Sequence, residues 1–243
     1  MDLVFATGNA GKLREAAEIL GPGYRVLSPA EVGLPGFDVE ETGSTFRENS
    51  LLKAQALWHA CGLPCFADDS GLEVDALGGA PGIYSARYAS DHNFASNIDR
   101  LLSELAAAFQ GGNASDPVRG SAAHPSQPGG WAPPSNVAEG GTPLGGVAPL
   151  ERHEALATFP GSARFRCVVT LITEDGKSRF FDGACEGRIA RERHGAGGFG
   201  YDPVFVTDLY PNLTMAELSE EVKNAISHRG VALRLMAAWL ATR

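Results

Sequence analysis

Residues 3–20 read LVFATGNAGKLREAAEIL. Leu3–Ala6 is a short apolar run of strand type, a glycine-rich turn follows, and from about Lys12 to Leu20 the residues Leu13, Ala16, Ala17 and Leu20 fall on one helical face. Strand, turn and helix in that order open an α/β unit. The chain beyond alternates in the same way. Tyr24–Ser28 reads as a strand, and Thr45-Phe-Arg-Glu48 is a capping box opening a helix that Gly62 closes. Leu63–Ala67 is a buried-type strand running into Asp68-Asp69-Ser70-Gly71, and Asn93–Phe109 is helical. Arg164–Thr173 and Lys177–Gly183 form a hairpin around Asp175-Gly176, with further strands around Cys185–Ala190 and Val204–Val206. The last helix carries Ala232, Leu235, Met236, Trp239 and Leu240 at i, i+3, i+4, i+7 and i+8, a core stripe. The pattern predicts an α/β or α+β fold with a mixed sheet and no internal repeat.

The chain has 243 residues, 44% hydrophobic and 20% charged, which is ordinary globular composition. A formal charge of −9 excludes a nonspecific duplex-DNA binder, so a polyanion would have to be held locally by a few placed cations or a metal. Cys61, Cys65, Cys167 and Cys185 are scattered, which argues against a zinc ribbon or disulfide framework and for a reducing compartment. The N-terminus has no basic region leading into a long apolar run, and no 18-residue apolar stretch occurs, so neither a signal peptide nor a membrane span is expected. Residues 111–150 stand apart, with 9 of the 30 glycines and 7 of the 15 prolines. That composition predicts a flexible surface insertion, with Trp131 as the one residue suited to pack back. Lengthening a surface loop from about five to about 40 residues costs only about 2 kcal/mol of closure entropy.

Four segments could carry chemistry. Thr7-Gly8-Asn9-Ala10-Gly11-Lys12 joins the first strand to the first helix, where backbone N–H groups and Lys12 can meet an anion; its spacing is not that of a Walker A loop, and a plain β–α turn reads equally well. Asp68 and Asp69 follow an apolar strand, where adjacent carboxylates need a cation or donors, and hard oxygen ligands suit Mg²⁺; a turn or helix cap is the alternative. Glu40-Glu41 supplies a second acidic pair. Gly197-Gly198-Phe199-Gly200-Tyr201-Asp202 offers flat apolar faces and a carboxylate, as a loop that stacks and reads a base requires. Lys223, His228 and Arg229 place cations near the final helix, and Lys53 and Arg87 are further phosphate candidates, each weak singly. No cysteine shows the partnered histidine that a nucleophile needs, and the remaining histidines show no ligand spacing.

Taken in order, FATGNAGK, EETGSTFRENSLLKA, FADDSGLEVDALGGAPGIYSARYA, GGFGYDPVF and AELSEEVKNAISHRG resemble the inosine triphosphate pyrophosphatase (Ham1-like) family over essentially the whole chain outside 111–150. The resemblance implies one domain over 1–243 with 111–150 inserted in it: a long twisted mixed sheet in two lobes around a central nucleotide cleft. It implies a homodimeric, Mg²⁺-dependent enzyme hydrolysing ITP, dITP and XTP to the monophosphate and pyrophosphate; the composition adds the expectation of a cytoplasmic protein with no nucleic-acid or membrane partner. By the same resemblance Thr7, Gly8, Asn9, Ala10, Gly11 and Lys12 would hold the triphosphate with Lys223 as a further phosphate ligand, and Lys53 and Arg87 join them as the candidates read from the residues. Asp69 would be the general base and, with Glu41 and Asp68, would organise Mg²⁺, while Ser70 would touch the substrate. Phe199, Gly200, Tyr201 and Asp202 would receive base and sugar, and His228 and Arg229 the 6-oxo purine edge. The Gly/Pro segment departs from the family's usual shorter link. Two other readings compete: a Maf-like pyrophosphatase acting on modified pyrimidine nucleotides, against which GGFGYDP and ISHR argue, and a purine-nucleotide regulator without turnover, for which a base beside a metal is not needed.

Overall fold

The computed structural model describes residues 1–110 and 156–242; the 111–150 segment and Trp131 lie outside them. Six strands form one mixed sheet: β1 (Asp2–Phe5), β2 (Arg25–Leu27), β3 (Cys65–Val74), β4 (Ala163–Ile172), β5 (Ser178–Ile189) and β6 (Phe205–Thr207), in spatial order β2-β1-β3-β4-β5-β6. β1 pairs parallel with β2 and β3, across α1 (Ala10–Leu20) and α2 (Phe46–Cys61), and the pairs β3–β4, β4–β5 and β5–β6 are antiparallel. The remaining helices are α3 (Phe94–Gln110), α4 (Glu220–Ile226) and α5 (His228–Leu240).

The local chemistry accounts for the helix ends. Asn9 caps α1, its Oδ1 accepting from the amides of Gly11 (2.8 Å) and Lys12 (3.2 Å). Thr45 Oγ1 accepts from the Glu48 amide and starts α2, and Gly62 ends it at φ +67° in the left-handed region. The expected capping box is half formed, because the Glu48 carboxylate accepts from Ser44 instead of returning to the cap. On α1, Ala16 and Leu20 are buried as expected, but Ala17 is turned to solvent.

Three boundaries move, each for its own physical reason. The strand expected over Leu63–Ala67 runs on through the acidic cluster to Val74, because Asp68, Asp69 and Ser70 pair with Val169, Val168 and Cys167 of β4. The hairpin's second strand and the separate strand around Cys185 are one continuous β5, which passes through Gly183 and Gly187. These glycines mark close packing rather than chain breaks: a Cβ on Gly183 would collide with the His228 carbonyl oxygen and meet Ala232 N at 2.8 Å. The last strand begins at Phe205, since Asp202–Val204 forms a 3₁₀ turn ahead of it. The final stripe is Ala232, Leu233, Met236 and Leu240, all buried, whereas Leu235 is exposed. Replacing a strand glycine by alanine is often harmless, but Gly183→Ala is expected to cost about 3 kcal/mol in urea unfolding, because helix backbone cannot retreat. An unchanged midpoint would show that α5 is free to shift.

The core divides along the long strands. Leu3, Phe5, Phe66, Cys167, Val169 and Leu171 pack with α1 and α5, and Val4, Cys65, Ala67 and Ile172 pack with α2 on the opposite face. Farther along, Leu72, Val74, Phe165 and Ile189 pack with α3, Tyr201, Phe205 and Met215. Asp68, Asp69 and Ser70 thus sit in mid-strand, between Phe66 of the first cluster and Leu72 of the third. This is the two-lobed mixed α/β architecture expected, and it puts charge where the two apolar lobes part.

Candidate functional site

Consecutive strand residues point to opposite faces of a sheet, so Asp68 and Asp69 serve different environments. The sequence alone predicts them side by side beyond the end of a strand; instead each has its own cluster.

Asp68, buried, faces the α1–α5 side. Lys12 Nζ lies 2.9 Å from both of its oxygens, Arg229 Nε donates to Oδ2 at 3.0 Å, and Ser70 Oγ donates to Oδ2 at 3.3 Å. Burial opposes the charge, but Lys12, Arg229 and Lys53 outweigh it and hold the carboxyl far below the usual range. Arg229, itself buried, also donates through Nη1 to Glu15 at 3.0 Å, and Glu15 accepts from Ser227, the residue that ends α4 and caps α5. The 7–12 turn lies beside this network. Thr7 Oγ1 accepts from the Asn9 amide, and Gly8, Asn9, Ala10 and Gly11 are exposed. The Asn9 side chain therefore spends its oxygen on capping.

Asp69 faces α2. Lys53, rising from that helix, sits 2.6 Å from Glu41 Oε1 and 3.6 Å from Asp69 Oδ1, and Arg87 reaches Glu41 Oε2 at 3.5 Å. Asp69 Oδ2 is buried with no hydrogen-bond partner among the described residues. Burial raises the Asp69 carboxyl against the pull of Lys53, Glu41 adds to the rise, and the group is pushed up to about 6. Glu41, which burial alone would raise, is held low by Lys53 and Arg87. For Lys53 burial disfavours the charge, but Asp69, Asp68 and Glu41 outweigh it and raise its pKa. Among the described residues no three His, Cys or acidic side chains stand together as a ligand set. Glu41 and Asp69 are nevertheless hard oxygen donors joined by one cation, and the orphaned Asp69 oxygen lacks a partner, so the donor chemistry fits a hard divalent ion. Asp68, with both oxygens engaged on the other face, is not brought to that pair.

The third group lies toward α4 and α5. Phe199 is 58% exposed, and both Lys223 Nζ and Arg229 Cζ lie 5.7 Å from its ring centroid. Asp202 Oδ2 accepts from Lys223 at 2.6 Å and from the Phe199 amide at 3.0 Å, a close fit that a Cβ on Gly198 would break. Gly200, at φ +63°, lets the chain turn between the exposed ring and the buried one. Tyr201 differs from expectation: it is 2% exposed, its hydroxyl donates to the Ser85 carbonyl at 2.9 Å, and its ring packs edge-on against Phe94, so it supports the loop from below. His228 is buried and stacked on Phe165 at 4.9 Å; burial first, then Arg229, drive its pKa well below the ordinary value, which leaves the ring neutral at pH 7. Lys223 stands on α4 and not on the final helix, because Ser227 separates the two.

Two residues at the site escaped the sequence reading. Glu15 meets Arg229 across 214 positions, which no local pattern encodes. Asn49 had a weak signal, a polar residue one turn inside a capped helix, and it is wholly buried.

Comparison with known proteins is consistent across sequence and structure. The Ham1 family profile matches residues 3–117 and 149–239. The dITP/XTP pyrophosphatase of Desulforamulus reducens is 41% identical over 237 residues, covering 96% of this chain and 92% of that protein. Among solved structures, the Staphylococcus aureus Ham1 protein superimposes with a TM-score of 0.71 at 36% identity, covering 100% of this chain and 99% of that one. A HAM1 protein from Coxiella burnetii gives a TM-score of 0.72 at 34% identity, with both chains covered completely.

Proposed function

The chain belongs to the Ham1 family, and on that footing we propose that it is a dITP/XTP pyrophosphatase, hydrolysing purine nucleoside triphosphates that carry a 6-oxo group to the monophosphate and pyrophosphate. The observation that carries the reading is Asp69: a buried carboxylate with one oxygen unpartnered and its pKa lifted to about 6, beside Lys53 and Glu41. Such a group accepts a proton from water near neutral pH better than an ordinary carboxylate does. In this mechanism Asp69 takes that proton while the water oxygen attacks the α-phosphorus. The α–β anhydride bond breaks, and pyrophosphate leaves with the electron pair. Glu41 and Asp69 would hold Mg²⁺, which when bound supplies Lewis-acid stabilisation of phosphate charge.

Lys12, Lys53 and Lys223 would meet the triphosphate, and each is already aligned by a carboxylate: Asp68, Glu41 and Asp202 respectively. Exchange of those partners for phosphate oxygens keeps the cations paired throughout. Thr7, Gly8, Asn9, Ala10 and Gly11 would line the phosphate path, Ser70 would touch the substrate, and Arg87 would steady Glu41. Phe199 is exposed enough to stack on a base, with Asp202 and Gly200 shaping the turn. Arg229 and neutral His228 would address the 6-oxo edge, where a donor meets an acceptor in inosine but an amino group in adenine.

The proposal extends to a homodimer of single-domain subunits, the 111–150 segment being an insertion; the family match, which leaves out 118–148, supports that division. Four unpaired cysteines accord with a cytoplasmic setting, and among the described residues no helix is long and apolar enough to cross a membrane. The test is a substrate panel with Mg²⁺. Pyrophosphate release from ITP and dITP should exceed that from ATP and dATP by about 10²-fold or more in kcat/KM, the scale of one mismatched polar contact. Equal rates on all four would refute the specificity, preference for a modified pyrimidine would favour the Maf-like reading, and binding without release would favour a regulator.

A further inference from the structure

Asn49 is wholly buried one turn into α2, and none of the roles above uses it. Its Oδ1 accepts from the Gly43 amide at 2.8 Å. The fit there is tight: a Cβ on Gly43 would meet Asn49 Oδ1 at 2.6 Å, Glu48 Cβ at 2.7 Å and Asn49 N at 3.0 Å. The turn so anchored carries Glu41, two residues before Gly43. At the other end of the same side chain, Nδ2 is buried and finds no partner among the described residues, the same condition as Asp69 Oδ2. The amide is near enough to the Asp69 carboxyl to favour its charged form, although no hydrogen bond joins the two. A buried primary amide with one end unused is costly where a leucine would pack, so its place here calls for a ligand-dependent role. The next residue, Ser50, bonds Thr170 of β4 at 2.7 Å and fixes the helix against the sheet.

We propose that Asn49 is a positioning residue for the hydrolytic site: its carbonyl oxygen pins the turn that bears Glu41, its amide steadies the Asp69 carboxylate, and together they set the spacing of the two carboxylates. The proposal rests on the pyrophosphatase reading for its kinetic arm only. Asn49→Ser removes the Gly43 anchor and withdraws the amide from the neighbourhood of Asp69. With ITP and saturating Mg²⁺, kcat should fall about 10–100-fold, the usual effect of losing a group that orients a ligand, while KM stays within about threefold. Mn²⁺ binding to the nucleotide-free protein, followed by EPR, should weaken about tenfold. Gly43→Ala touches neither carboxylate and should lower kcat in the same sense by pushing on Asn49; it decides the matter if Asn49→Ser does not fold. On an Asp69→Asn background, Asn49→Ser should weaken Mn²⁺ binding by clearly less than it does in wild type, because only the anchor of the Glu41 turn is left to lose. Folded variants that keep kcat and Mn²⁺ affinity within about twofold of wild type, or a full additional loss on the Asp69→Asn background, would overturn the proposal. A wild-type protein that releases no pyrophosphate from any purine triphosphate would defeat the pyrophosphatase reading instead, and the Mn²⁺ measurements would still decide the role of Asn49.

Discussion

Asp69→Asn is expected to lower turnover of ITP by about 10³-fold or more, since the change removes the proton acceptor and a metal oxygen together while keeping the side chain's shape. Nucleotide binding should largely survive, because, of the proposed substrate contacts, Lys12, Lys223 and the Phe199 ring do not touch that carboxylate, and Lys53 keeps Glu41. The same variant should gain stability when metal is absent. A carboxyl raised from its ordinary value to about 6 favours folding in its protonated form. That contribution is complete below about pH 4 and is lost as the pH rises through about 6, so at pH 7.5 the folded wild-type protein carries an unfavourable buried charge. The gap corresponds to about 2–3 kcal/mol with the pull of Lys53 already counted in it, and the cost of burying the amide in turn lowers the net gain to about 1–2 kcal/mol. Urea unfolding in EDTA at pH 7.5 and at pH 4.5 checks the sign: the variant should lead at the higher pH, and the lead should shrink at the lower. Retained turnover would move the base elsewhere, and a variant less stable than wild type at pH 7.5 would show that Lys53 needs Asp69 more than burial penalises it.

Much of the architecture was legible because it is written in local patterns. The β1–turn–α1 unit, the cap at Thr45, the stop at Gly62 and the hairpin at Asp175-Gly176 each depend on residues within a turn or two of one another. The misread boundaries depend on partners far away in sequence. Asp68-Asp69-Ser70 looks like a turn by propensity, yet it runs as strand because β4 pairs with every residue of it, from Cys65 to Val74. Gly183 looks like a strand end, yet it lies mid-strand because α5 backbone presses against it. The site shows the same division. The motif residues were visible one by one, but alternation along β3 splits the two aspartates between opposite faces, and only the three-dimensional register assigns Lys12 to one and Lys53 to the other. Tyr201 read as a base-stacking ring because it shares a glycine-rich loop with a second aromatic and a carboxylate; burial against Phe94 and Ser85 makes it a support instead.

The network around Asp68 yields the largest expected effect on stability. Arg229 is buried, bridges Asp68 on β3 to Glu15 on α1, and belongs to the first turn of α5, so three elements meet through one guanidinium. Replacing a well-ordered buried ion cluster wholesale can be neutral, but deleting one member leaves charge stranded. Arg229→Met should therefore cost about 3–5 kcal/mol, because Glu15 loses its main partner and Asp68 keeps only Lys12 and Ser70. The deficit has a predictable pH dependence. Asp68 is held far below the usual carboxylate range, so its pairing contributes fully above about pH 4 and fades as the pH falls toward the depressed value. The gap between wild type and Arg229→Met should accordingly be widest near neutrality and narrow in acid. Adding Glu15→Gln to Arg229→Met removes the stranded charge and should restore about 1–2 kcal/mol, although each change alone destabilises. A double variant with the summed cost of the two singles would mean that Glu15 and Arg229 act independently, and that α1 and α5 are joined by their apolar faces alone.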